Sequence, residues 1–170
     1  MEIQSFIRDI PDFPTKGIVF KDICPLLQDH GAFSYVIDEL ARRFSGRRID
    51  VVVGIESRGF IFGSALAYKM GAAFVPVRKV GKLPSETIRE HYSLEYGTSA
   101  VEIHKDGVTS GQRVLLVDDL LATGGTMTAA VNLVKRLGGE IGGIAFLIEL
   151  TFLNGRKALA GQEVVSLIEY

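Results

Sequence analysis

Residues 113–128 leave this chain few ways to fold. Val114, Leu115, Leu116 and Val117 form an apolar run short enough for a strand and apolar enough to be covered on both faces. Two carboxylates, Asp118 and Asp119, follow at its C-terminal end. Next come the small residues Ala122, Thr123, Gly124, Gly125 and Thr126, and then a helical pattern begins. A strand entering a helix through a glycine turn belongs to an α/β sheet, in which ligands bind past the carboxyl ends of the strands. Free backbone N–H groups and the positive helix end make that turn an anion cradle. The paired acids would repel a phosphate. They suit sugar hydroxyls, or a cation that arrives with a pyrophosphate, so the whole unit reads as a site for phosphorylated ribose.

The rest of the chain supplies more strands and helices in alternation. Phe33, Val36, Ile37, Leu40 and Phe44 share one face of a helix predicted over 33–44, with Gly46 as its stop. A β-branched strand is predicted at 50–55, a helix at 60–70 ending on Gly71, and a strand at 73–77. Residues 78–91 are polar and irregular. Residues 93–104 alternate around Gly97 as an antiparallel hairpin. A helix at 126–137, stopped by Gly138 and Gly139, precedes strands near 143–150 and 164–168. The expectation is an α/β fold: a central, mostly parallel sheet flanked by helices. Residues 1–30, broken by Pro11, Pro14, Gly17 and Pro25, are expected to be irregular and, with the C-terminal strand, to cap the site. Residues 78–104 are expected to form a flexible lid and hairpin.

At 170 residues the chain suits a single domain spanning 1–170. A net charge of −1 gives no global pull toward nucleic acid or membrane. No stretch is long and apolar enough to span a bilayer, and the N-terminus lacks a signal-peptide core. The single cysteine, Cys24, forms no internal disulfide and reads as a buried structural thiol, which places the chain in a reducing, cytoplasmic compartment.

Two further segments converge on the same sheet edge. The strand Val51 to Ile55 delivers Glu56, Ser57 and Arg58 there, and arginine suits bidentate contact with phosphate oxygens. Arg78 and Lys79 end another strand and lead into a basic loop holding Lys82, Arg89 and His91. Gly81 and Pro84 interrupt regular structure in it. Beside a phosphate site, such a loop reads as a lid that excludes water.

The run of apolar strand, two acids and Ala122-Thr123-Gly124-Gly125-Thr126 resembles the signature of the type I phosphoribosyltransferases, which bind 5-phosphoribosyl-1-pyrophosphate. The resemblance implies that Glu56, Ser57 and Arg58 form the family's pyrophosphate loop, often with a cis peptide. It also implies that Arg78, Lys79 and Lys82 attend the same group. Two more strings, Phe13-Pro14-Thr15-Lys16-Gly17-Ile18-Val19-Phe20-Lys21 and Tyr92-Ser93-Leu94-Glu95-Tyr96-Gly97, are similar to adenine-specific members, so the likeness covers nearly the whole chain. On that footing Phe20 stacks on the base, unless it simply packs in the core. The backbone carbonyl of Val19 and the N–H of Lys21 meet the base edge, and Glu95 donates to N7 as the catalytic acid. Lys21 stands where the family often has Arg.

The implied reaction makes AMP and pyrophosphate from adenine. Mg²⁺ is held mainly through substrate, and no residue serves as a dedicated metal ligand. The implied assembly is a homodimer, with part of one lid reaching the neighbouring site. The partners are small molecules, not nucleic acid or membrane. Two alternatives stand beside this reading: transfer to another purine, xanthine or hypoxanthine, and a non-catalytic regulator that binds the sugar diphosphate.

Overall fold

The computed structural model describes residues 1–93 and 97–170. Nine strands and four α-helices are found among them: β1 (Arg8–Ile10), β2 (Phe20–Asp22), α1 (Cys24–Gln28), α2 (His30–Arg43), β3 (Val51–Ile55), α3 (Gly59–Met70), β4 (Ala73–Lys79), β5 (Thr87–Ser93), β6 (Thr98–His104), β7 (Arg113–Leu121), α4 (Gly125–Arg136), β8 (Glu140–Glu149) and β9 (Val164–Glu169). The main sheet has the order β5-β6-β4-β3-β7-β8-β9, and β1 pairs with β2 in a separate antiparallel ribbon. Strands β4, β3, β7, β8 and β9 run parallel, whereas β5 and β6 are antiparallel additions at one edge.

Every residue of β3 is buried, as its unbroken apolar run requires of a central parallel strand. Side-chain alternation then splits the interior in two. Val51, Val53, Ile55, Val114 and Leu116 face a core shared with Met127, Ala130, Leu133 and Val134 of α4. Val52, Leu115 and Val117 face the opposite core, filled by Val36 and Leu40 of α2 and Phe62 and Leu66 of α3. Helix α2 starts where the Asp29 carboxylate accepts from the N–H of Ala32 at 2.8 Å. Helix α3 stops at Gly71 with φ 67°. No helix is long and apolar enough to cross a membrane among the described residues.

The expected α/β architecture holds, and four local expectations need correction. First, residues 78–91 are not irregular throughout. Arg78 and Lys79 close β4, and Thr87 to His91 lie in β5, so only 80–86 is loop. Their charges hid a strand whose Arg89, His91 and Ser93 turn outward while Ile88, Glu90 and Tyr92 turn inward. The inner Glu90 is held by α4: Arg136 Nη1 donates to its Oε2 at 2.9 Å and to the Arg89 carbonyl at 2.6 Å. The hairpin therefore begins at Thr87 instead of 93, with its base anchored. Second, β9 does not cap the site; it pairs with β8 and forms the far edge of the sheet. Third, the first thirty residues hold β1, β2 and α1, because ribbon pairing of three residues a side needs no long periodic run. Fourth, Cys24 is exposed, not buried. It opens the five-residue α1, with its N–H donating to Asp22 Oδ1 at 2.9 Å, and the interaction of its thiol with the same carboxylate raises the thiol pKa.

Candidate active site

Strands β3, β4 and β7 end side by side, and their carboxyl ends open on one cavity of about 660 Å³. Glu56, Ser57 and Arg58 line it from the elbow after β3, Lys79 from the end of β4, Lys82 from the loop that follows, Asp118 and Asp119 from β7, and Thr126 from the first turn of α4. A smaller hollow of about 90 Å³ adjoins it and shares Asp118, Leu120 and Thr126. Its wall is Ala122, Thr123, Gly124 and Gly125 at the mouth of α4. The acid pair and the glycine loop thus face one continuous cleft, with the positive end of α4 aimed into it.

The acids are held tightly. Asp118 Oδ1 accepts from the N–H of Asp119 at 2.9 Å. Burial, then the neighbouring Asp119 charge, pushes the Asp118 carboxyl well above the ordinary carboxylate range. Burial also raises Asp119, opposed by the Arg58 guanidinium, whose Nε lies 2.9 Å from Oδ2. That contact is an ion pair without hydrogen-bond alignment, so Asp119 Oδ2 stays buried with no hydrogen-bond partner. An unsatisfied buried carboxylate oxygen in a cleft is an acceptor awaiting a hydroxyl or a hard cation. Two carboxylates alone do not make a cage, and no group of three or more His, Cys, Asp or Glu side chains gathers into one among the described residues.

Gly59 sets how close the acids come to α3. A Cβ there would lie 2.8 Å from Asp118 Oδ1 and 2.9 Å from the Val117 carbonyl oxygen. Gly59→Ala should therefore push Asp118 out of place, costing about tenfold or more in kcat/KM with a drop of several degrees in Tm. Unchanged kinetics would show that the contact tolerates a methyl group.

At the elbow the Glu56–Ser57 peptide is cis. The N–H of Glu56 donates to the Val77 carbonyl at 2.9 Å, tying the turn to β4. Arg78 does not line the cavity. Its Nη2 donates to Glu56 Oε1 at 2.9 Å, while Glu56 Oε2 accepts from the Lys79 N–H at 3.0 Å. Arg78, read from sequence as facing an anion, instead braces Glu56, and its guanidinium holds that carboxyl below the usual range. Arg58, Lys79 and Lys82 remain on the cavity wall.

Val19, Phe20 and Lys21, read as base contacts, lie beside this cavity and do not line it. Phe20 packs edge-on against Phe13 with ring centroids 5.2 Å apart, and the Arg58 guanidinium sits 4.9 Å from the Phe20 centroid. Arg58 is thus the link between the ribbon and the acid pair. Val19 is half exposed. The Lys21 ammonium is committed elsewhere, 2.7 Å from Asp9 Oδ1 and 3.6 Å above the Tyr170 ring. Glu95 lies outside the described residues. Sequence reading missed Tyr92 and Val101, which bring the β5–β6 hairpin to the cavity wall. The inward alternation of β5, together with its place at the head of the Tyr92–Gly97 string, could have singled out Tyr92.

Comparison with known proteins agrees with this geometry. Residues 26–163 match the phosphoribosyl transferase domain. The adenine phosphoribosyltransferase of Thermoanaerobacter sp. (strain X514) is 58% identical over 169 residues, covering 99% of this chain and 98% of that protein. The chain belongs to the phosphoribosyltransferase family, among its adenine phosphoribosyltransferases. The crystal structure of the adenine phosphoribosyltransferase from Thermoanaerobacter pseudethanolicus superposes with a TM-score of 0.97 at 58% identity, over 99% of this chain and 98% of that one. The Saccharomyces cerevisiae adenine phosphoribosyltransferase was crystallised with an imino-altritol bisphosphate and adenine. It superposes at 0.92 with 41% identity, over 98% and 96% of the two chains. The phosphoribosyltransferase fold accounts for the seven-stranded sheet and for the acid pair at the end of β7.

Proposed function

We propose that the chain makes AMP and pyrophosphate by transferring the 5-phosphoribosyl group of 5-phosphoribosyl-1-pyrophosphate to N9 of adenine. The observation that carries this reading is the single cleft in which a raised, underhydrogen-bonded acid pair adjoins an anion-binding helix mouth and faces Arg58, Lys79 and Lys82. In that cleft the N–H groups of Ala122 to Thr126 take the 5-phosphate. Asp118 and Asp119 take the ribose hydroxyls and stabilise positive charge developing at C1. Arg58, Lys79 and Lys82 neutralise the departing pyrophosphate, on a floor made by Glu56 and Ser57 and braced by Arg78. Bond breaking leads, the ribosyl centre becomes cation-like, and N9 then forms its bond to C1. Catalysis therefore rests on orientation, charge neutralisation and dryness.

Adenine lies against Phe20, with the Val19 carbonyl accepting from its amine and the Lys21 N–H donating to a ring nitrogen. Oxopurines present the opposite pattern at position six. From the sequence, Glu95 is set against N7: as N9 bonds to C1 its carboxylate accepts the proton given up by the N7–H tautomer of the base, and in the reverse direction the protonated carboxyl returns it to N7. Mg²⁺, when bound with the diphosphate, offsets leaving-group charge. Asp118 and Asp119 would hold it through the ribose hydroxyls, while substrate and water would supply most of its oxygen ligands. The assembly is a homodimer. The reading is supported by Ile61 and Tyr68, which lie seven residues apart on α3 and remain exposed, Tyr68 at 92%. The exposed thiol of Cys24 suits a reducing cytoplasm.

Purified protein given 5-phosphoribosyl-1-pyrophosphate, Mg²⁺ and one base at a time should form AMP from adenine. It should use hypoxanthine and xanthine at least about a hundredfold less well, the scale set by mismatched buried hydrogen-bonding groups. Product from an oxopurine at comparable kcat/KM would replace the base assignment, and no nucleotide from any base would remove the catalytic reading.

A further inference from the structure

The loop read above as the 5-phosphate cradle does not stand alone. It leans on a 3-10 turn, Gly155–Leu159, between β8 and β9. Backbone meets backbone there without side chains between: a Cβ on Gly155 would fall 2.3 Å from the Ala122 carbonyl oxygen, and one on Gly124 would fall 2.7 Å from the Gly155 carbonyl oxygen. Thr128 Oγ1 lies 2.8 Å from the Gly124 carbonyl and 3.2 Å from the Ala158 carbonyl, which joins loop, helix and turn. A shift of the turn is therefore transmitted to the loop, since closely packed backbones compress little.

The turn in its place is fixed by one arginine. Arg156 Nε lies 2.8 and 2.9 Å from the two carboxylate oxygens of Glu149, and Nη2 lies 2.7 Å from Oε2. Nη1 donates to the Val164 carbonyl at 2.9 Å. Glu149, at the end of β8, is buried, and its Oε2 also accepts from Ser166 Oγ at 2.7 Å. One guanidinium thus ties the turn to two strands of the sheet. A buried carboxylate that loses its cation is costly, so the arrangement has little slack.

We infer that Glu149 and Arg156 are positioning residues for the reaction: through the Gly155–Leu159 turn they set the depth of the Ala122–Thr126 loop, and so the affinity for the phosphoribosyl group, without touching substrate. The inference rests on the phosphoribosyl reading of that loop and extends it to residues at the carboxyl end of β8 and in the crossover that follows it.

Ribose 5-phosphate, which carries the 5-phosphate and pentose but no base or pyrophosphate, is the probe, with binding measured by calorimetry beside steady-state kinetics. Arg156→Ala should weaken ribose 5-phosphate binding and raise the KM for 5-phosphoribosyl-1-pyrophosphate about tenfold, while the KM for adenine stays within about twofold. Arg156→Lys, which keeps the charge but not the fork, should fall between, and it carries the test if Arg156→Ala does not fold. Leu40→Ala, in the α2 core, supplies a variant of lowered Tm that leaves the turn intact. The inference is overturned if the two substrates' KM values rise together, if ribose 5-phosphate binding is unchanged in the Arg156 variants, or if Leu40→Ala weakens it equally. A wild-type protein that binds ribose 5-phosphate yet makes no AMP removes the proposed activity, and the binding comparison then judges the positioning role by itself.

Discussion

Asp118→Asn should raise the melting temperature of the ligand-free protein and at the same time lower its kcat/KM at least about a hundredfold, equivalent to about 2.7 kcal/mol of transition-state stabilisation. Both effects come from one cause. Asp118 lies half-buried next to a second, buried carboxylate, so the folded protein resists its ionisation. Asparagine keeps the Oδ1 acceptor for the Asp119 N–H and removes the charge. It also removes the anion that holds the ribose and faces the cationic centre. For a chain of this length each kcal/mol regained is about 2–4 °C in Tm.

The pH dependence follows with a definite sign. The folded-state pKa is raised, so this group's contribution to stability is fully present below the unfolded value of about 3.9 and is lost as pH rises toward and through the folded value. Other carboxyls, such as Glu56 and Glu102, are lowered by Arg78 and Arg89 respectively and act in the opposite direction. The informative quantity is therefore the Tm difference between variant and wild type. It should widen in the variant's favour as pH rises above about 4. A difference that is flat, or that narrows, would show that the pair carries no ionisation penalty in the fold.

Gly124→Ala should be the most damaging single methyl in the glycine loop. The residue has φ 88°, a conformation that costs a non-glycine residue about 1 kcal/mol. Its Cβ would also meet the Gly155 carbonyl at 2.7 Å and Ala158 Cβ at 3.0 Å, and neither neighbour is a flexible side-chain end. The loop must move, so the KM for 5-phosphoribosyl-1-pyrophosphate should rise more than about tenfold and stability should fall by about 2–4 kcal/mol. Gly161→Ala separates strain from collision. Gly161 has φ 83° and nothing within 4 Å of its Cβ position, so it should cost only the backbone term and leave kinetics unchanged. Equal kinetic loss in the two variants would mean that the Gly124–Gly155 contact does not shape the loop.

Local chemistry explains why so much of the site could be read in advance. An unbroken apolar run has to be a buried strand, adjacent acids at its end have to face something polar, and a glycine turn entering a helix presents unpaired N–H groups. Each of those statements concerns neighbours in the chain, so residues 113–128 carried them without help. The same holds for the elbow, where Val51 to Ile55 delivers Glu56, Ser57 and Arg58 to the same edge. What the sequence left open were relations between distant segments. Arg78 and Arg58 look alike as exposed basic residues. Only the fold puts one against Glu56 and the other between Asp119 and the Phe20 ring. The charged stretch 87–91 hid a strand because its inward glutamate is neutralised by Arg136, forty-six positions later.

From the sequence by itself came the sheet's parallel core, the acid pair, the loop at the mouth of α4 and the class of group they take, because strand burial and turn geometry are set by adjacent side chains. Which cation braces and which remains free, where β9 joins the sheet, and the seating of the glycine loop on Gly155 were decided only in three dimensions. Those outcomes depend on backbones and charges brought together by packing, and nothing in the local pattern encodes such a meeting.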